Sequence, residues 1–354
     1  MEDVMNRELY KNLINNTIEY YLPEYNLQQI INNLTKQKIA SYKEKENSVL
    51  INTSESKSQR IKKCIDNNSD TFYIIENMLI NKAYRYAIYY KCDNFNLNDN
   101  IENYIDIESL KCEKFNLIEE FDKPIFVQTD DYIAFKFCKS INPFIIKLDQ
   151  TKDVFYSTLW VYHKKMKILE HRFDMIGFKS DDTFYETTFK PQLYKICTDF
   201  NCTINEFRTS KIIKCIVQNK KDEVNEISQC MGLKADSLAK LKAGKTLVMP
   251  FIGDLEIIME ESKELFDKTN ETKLIKKMLE KYINNIKENA KYKSRLLSWC
   301  KGEYNSLCVN ILFSYRDKNY DLFNFQDPKK INMELMNYAI EYIWGIRGDI
   351  ENIR

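Results

Sequence analysis

Glycine and proline are scarce in this chain, with seven and six copies in 354 residues. That excludes collagen-like and low-complexity repeats and leaves no glycine-rich loop to cradle a phosphate. Gly244-Lys245-Thr246 matches the tail of such a loop, but Ala239 stands where its first glycine has to be. Histidine is rarer still: His163 and His171 are the only two, which excludes a histidine-rich metal site. None of the ten cysteines forms Cys-x-x-Cys, and most lie in apolar runs such as Phe135-Lys136-Phe137-Cys138. They read as reduced, mostly buried thiols of a cytoplasmic protein, and Cys197 with Cys202 has no nearby partner for zinc. No secretory leader opens the sequence, and no uncharged apolar run approaches the roughly twenty residues that span a bilayer. No membrane association is therefore expected. Net charge is also missing: 53 Lys+Arg face 52 Asp+Glu, so any polyanion site must be a local patch. There is no Gly-x-Ser-x-Gly elbow and no cofactor motif, so none is expected.

What is present is a well-filled chain, 44% hydrophobic and 13% aromatic, enough to build a sizeable core. Apolar residues recur every three or four positions at Leu9, Tyr10, Leu13, Ile14 and Ile18. They recur again at Leu27, Ile30, Ile31 and Leu34, beyond Pro23. This predicts a helical pair over 1–50. The serine-rich stretch within 51–70 reads as a linker. From 71 to 190 short β-branched and aromatic runs dominate: Phe72–Ile75, Ile125–Gln128, Tyr132–Cys138, Phe144–Leu148, Val154–Tyr162 and Lys167–Ile176. They predict a mostly antiparallel sheet with a hairpin turning at Lys164-Lys165. Pro191 is expected to open a mostly helical region, 191–354. Its helices are expected over 191–200, 204–218, 222–231, 235–243, 254–266 and 271–290. A late hairpin, 307–315 with 320–325, and a closing helix over 330–344 complete it. The fold class is α+β: an N-terminal helical pair, a central mostly antiparallel sheet, and a helical C-terminal half with a late β-hairpin.

Two of the seven glycines, Gly232 and Gly244, punctuate one segment. Ile227 and Met231 are spaced for one buried helix face, and Leu238 and Leu241 for a second, with Gly232 between them. On those residues, 220–250 resembles the helix-turn-helix of the Cro and lambda-repressor family. The resemblance implies a DNA-contacting helix over 235–243, with Ser228 where the two helices touch and Asp236 and Lys240 exposed. From 208 to 245 nine lysines and arginines face four acids, a surplus able to neutralise phosphates. The expected DNA contacts are Lys234, Ser237, Lys240, Lys242 and Lys245, within or beside 222–245, on double-stranded DNA.

Two other functions compete. A metal-dependent nuclease needs clustered carboxylates, for which Asp174, Asp182 and Glu186 are the candidates and magnesium the implied metal. Alternatively, an interaction subunit or self-associating chain would use Tyr84, Tyr86, Tyr89 and Tyr90 as exposed aromatics. In length and layout, with Phe184-Tyr185-Glu186 after a hairpin, the chain also resembles anti-phage proteins of the KwaB type from the Kiwa system, which implies DNA binding in bacterial defence. Taken together, the sequence points to a binding protein rather than an enzyme, in a regulatory, mobile-element or antiviral defence setting.

Overall fold

Helices and a mostly antiparallel sheet alternate along the chain, in an α+β fold. A computed structural model describes residues 6–352 apart from 98, 178–182, 233–237, 243–249, 290, 301–303, 306 and 328–330. The chain divides into two units: unit 1 comprises Met1–Phe207 with Ile331–Asn337, and unit 2 comprises Arg208–Lys330 with Tyr338–Arg354.

Unit 1 begins with α1 (Arg7–Tyr20), α2 (Glu24–Lys36), the short parallel pair β1 (Ala40–Ser41) and β2 (Val49–Leu50), α3 (Lys57–Asn67) and α4 (Asp70–Asn81). The serine-rich stretch is not wholly a linker, because Ser56 and Gln59 form a reciprocal capping box that starts α3. Phe72–Ile75 lies in α4 and not in a strand. Thr71, Phe72, Ile74, Ile75, Glu76, Met78, Leu79 and Ile80 are all buried, and a run buried all round carries no usable period.

The strands of unit 1 are β3 (Tyr86–Asp93), β4 (Ile105–Asp106), β5 (Ile125–Gln128), β6 (Tyr132–Ile141), β7 (Phe144–Ile145), β8 (Gln150–Thr151), β9 (Val154–His163) and β10 (Ile168–Phe173). After them come α5 (Phe184–Asp199) and β11 (Thr203–Glu206). The main sheet runs β4-β5-β6-β9-β10-β3, with β11 on β3 and only β4–β5 parallel. Central β9 is buried along almost its whole length because both sheet faces are covered. On one face Phe135, Trp160, Tyr162 and Leu169 pack with Ile196 of α5 and Phe200 just after it. On the other, Tyr10 of α1 contacts Phe155 and donates to Glu76 of α4 at 2.7 Å, and Glu76 pairs with Lys136 of β6. Pro191 lies inside α5 rather than at its start, so the helix opens seven residues earlier than the proline suggests.

Unit 2 contains α6 (Ser210–Asn219), β12 (Val224–Gly232), β13 (Leu238–Lys242), α7 (Pro250–Glu261), α8 (Lys263–Phe266), α9 (Asn270–Asn289), β14 (Lys291–Trp299), β15 (Cys308–Leu312) and β16 (Leu322–Phe325). The last helix, α10 (Met333–Asn352), contributes Tyr338 onward to unit 2. The strands of unit 2 are ordered β13-β12-β14-β15-β16, all antiparallel, and β15–β16 is the expected late hairpin.

The helices expected over 222–231 and 235–243 are instead the β-ribbon β12–β13. The pairing of β12 with β14 carries two register shifts, at Glu226/Ser228 and Cys230/Met231. At the first shift Ile227 is the extra residue of β12 and is 41% exposed, whereas Val224 is 1% exposed, so the three-and-four spacing of Val224, Ile227 and Met231 does not mark one buried helix face. β14 was not expected at all. It pairs with β12 from Val224↔Trp299 to Gly232↔Lys291, and this long-range pairing overrides local propensity.

Candidate nucleic-acid interface

The candidate site comprises α6 and the ribbon that follows it. Asp321 is buried, and its Oδ2 accepts from the backbone N–H of Thr209 at 2.7 Å and from Thr209 Oγ1 at 2.8 Å. Its Oδ1 accepts from the N–H of Ser314 at 2.9 Å and lies 3.9 Å from Arg208. One carboxylate thus ties the start of α6 to the loop before β16. Ile212, Ile213 and Ile216 turn inward. Lys211 and Lys214 sit one turn apart on the opposite, exposed side, and exposed Lys221 follows the helix. Among the described residues none of these three lysines has an ion-pair partner.

Other cations of this region are already engaged. Lys220 lies 3.9 Å from Glu223. Buried Arg295 of β14 lies 3.4 Å from Glu226 of β12 and covers the Tyr292 ring. Burial pushes the Glu226 carboxyl up, and Arg295 opposes that shift. The surplus of positive charge therefore narrows to the outer side of α6 and whatever the ribbon adds.

Lys240 and Lys242 occupy β13, the last strand in the order, opposite Cys230 and Ser228. Lys234, Ser237 and Lys245 lie outside the described residues. The contact-bearing helix does not exist, because Leu238–Lys242 is a strand. Lys211 and Lys214 belong to the local charge surplus of 208–245, but the spacing that imitates a helix-turn-helix lies in the next segment.

The nuclease candidates do not come together as a metal site. Asp174 pairs with Lys82, and its Oδ1 accepts from the Arg85 N–H at 2.9 Å. Glu186 pairs with Lys190 one turn along α5, and Asp182 lies outside the described residues. No cluster of three or more His, Cys, Asp or Glu placed to hold a metal occurs among the described residues. Nor are Tyr84 and Tyr89 a surface: both are buried in unit 1, and Tyr84 donates to the Leu79 carbonyl at 2.8 Å. Tyr86 and Tyr90 are half-buried. His171 is a core residue, stacked on Trp160 at 4.0 Å and meeting Phe189 edge-on at 4.2 Å. No helix among the described residues is long and apolar enough to cross a membrane. No protein-family model matches the chain, and no curated protein matches its sequence.

Proposed function

We propose that this is a cytoplasmic protein that binds double-stranded DNA through unit 2, with the lysines of α6 and of the β12–β13 ribbon as its phosphate contacts. The observation that carries this reading is the row of exposed lysines, Lys211, Lys214 and Lys221, without acidic partners among the described residues. Ammonium groups left unpaired on a firmly anchored helix are available to displace counterions from a phosphate backbone. A two-stranded ribbon also fits the geometry, since the major groove admits one as readily as a helix. Lys240 and Lys242 keep their assigned role on a strand instead of a recognition helix. Nine of the ten cysteines are free thiols, which agrees with a reducing compartment.

The test is fluorescence anisotropy with a labelled duplex across a salt series. The wild-type protein is expected to lose affinity steeply with salt. The triple variant Lys211→Gln, Lys214→Gln, Lys221→Gln should reduce the log–log slope by about 3, close to 0.9 per lost phosphate contact. Lys240→Gln with Lys242→Gln should reduce it further. Undetectable binding at low salt, or an unchanged slope in both variants, would refute the proposal.

A further inference from the structure

The helical arm of unit 2 leaves half of an apolar face uncovered. Met259 of α7 and Ile283 of α9 are buried, with Leu255, Phe266 and Leu279 packed around them. This contact uses only one side of the apolar face of α9. Beside it Leu274, Ile275, Met278 and Tyr282 remain 60%, 51%, 65% and 55% exposed. On the other arm Ile257, Ile258 and Leu265 are 48%, 55% and 59% exposed. Scattered single apolar residues need no explanation, but four on one arm and three on the other mark a surface that is covered in use.

Charge indicates what covers it. Lys273, Lys277 and Lys281 recur every four residues, each immediately before an exposed apolar residue of α9: Leu274, Met278 and Tyr282. None of the three has an ion-pair partner among the described residues. The other arm carries the opposite sign in the same arrangement, with Glu256 before Ile257 and Glu264 before Leu265. Over 255–268 five acids face two lysines, and over 270–284 four lysines face two acids. The acidic arm argues against an anionic membrane as the occupant. Within one molecule the two arms already meet through Met259, Ile283 and the Lys276–Asp267 pair at 3.7 Å, and the basic-and-apolar and acidic-and-apolar rows left exposed beside that contact are complementary between two molecules.

We infer that this face joins two copies of the chain, with α7–α8 of one copy lying on α9 of the other and the reciprocal contact made at the same time. Such a contact is isologous and closes at two subunits. The apolar rows supply the buried area, and the flanking lysines and glutamates set which arm meets which. The inference does not rest on the DNA-binding reading, and its test contains no DNA.

Sedimentation velocity over a concentration series on the full chain tests it. Wild type is expected to run as a dimer at micromolar concentration. Ile275→Glu with Met278→Glu, both at exposed positions, should raise the dissociation constant at least 100-fold while leaving the circular-dichroism spectrum unchanged. Lys277→Glu with Lys281→Glu should weaken the dimer about tenfold. Adding Glu261→Lys and Glu264→Lys to that pair should restore it. A wild-type monomer at 50 μM would overturn the inference, as would a four-fold variant no tighter than the lysine pair alone.

Discussion

At the scale of single residues, unit 1 holds a charged cluster inside its sheet. Glu170, His163 and Arg172 are all buried. His163 Nε2 lies 2.7 Å from Glu170 Oε2, and Arg172 Nη2 donates to the same oxygen at 2.6 Å and to Asn337 Oδ1 at 2.5 Å. Burial alone would raise the Glu170 carboxyl, but Arg172 and His163 outweigh it and hold it at about 2, against an ordinary value of 4.5. Its neighbour His171 shifts for the opposite balance of reasons. Burial drives its pKa well below 6.5, and the Glu170 charge only partly opposes this. Both shifts act in one direction. Below pH 6.5 the unfolded chain takes up a proton at residue 171 that the folded chain refuses, so stability falls as pH drops. The Glu170 contribution is complete above about 4.5 and is lost as pH falls towards 2, amounting to about 3 kcal/mol at most. Urea midpoints should therefore decline in two stages on acidification. His171→Phe keeps an aromatic ring against Trp160 and should lose the first stage. A variant whose slope between pH 6.5 and 5 equals the parent's would show that His171 does not titrate in this way.

At the scale of elements, the helical pair α1–α2, the hairpin β9–β10, the long helix α9 and the late hairpin β15–β16 were all legible. Each keeps one clean period, or one turn rich in polar residues; all but α9, whose apolar stripe is covered on one side only, are buried on the side that the period selects. What was lost follows from particular residues. α4 carries no usable period because it is buried on nearly every side. β12 has a false one, because Ile227, which completes the helical spacing, is the unpaired, exposed residue of a register shift. β14 alternates only weakly around Arg295, a buried cation whose acidic partner comes from another strand. For the site, the local charge surplus was legible, but the exposed side of α6 depends on Asp321, more than a hundred residues away, and that contact has no local signature. The strand identity of β12 can be tested at Asn225, an exposed position paired with Ser298. Threonine suits a pleated edge better than alanine by up to about 1 kcal/mol. In a helix alanine is better by roughly half that. Asn225→Thr is therefore expected to unfold at higher urea than Asn225→Ala, and the reverse order would restore the helical reading.

At the scale of the whole molecule, the chain leaves unit 1 at Phe207 and returns to it at Ile331–Asn337. That short return is part of the unit's structure. Asn332 bridges to Lys82, the Tyr84 N–H lies 3.4 Å from Met336 Sδ, and Asn337 is the outer partner of Arg172. Ile331, Met333 and Met336 are 5%, 3% and 0% exposed. A domain is stable by only about 5–15 kcal/mol, so losing even one such side chain is a large fraction of the whole. The chain has three tryptophans, Trp160, Trp299 and Trp344, and only Trp160 belongs to unit 1. With Trp299→Phe and Trp344→Phe in place, Trp160 fluorescence follows that unit alone. Met336→Ala in this background should lower the Trp160 unfolding free energy by about 2–5 kcal/mol, the usual range for truncating a buried methionine. If unit 1 instead owed its stability to residues 1–207 alone, the Trp160 transition would not move. A shift of the expected size would mean that unit 1 cannot finish folding until residues 331–337 have been made, with the whole of 208–330 preceding them in the chain.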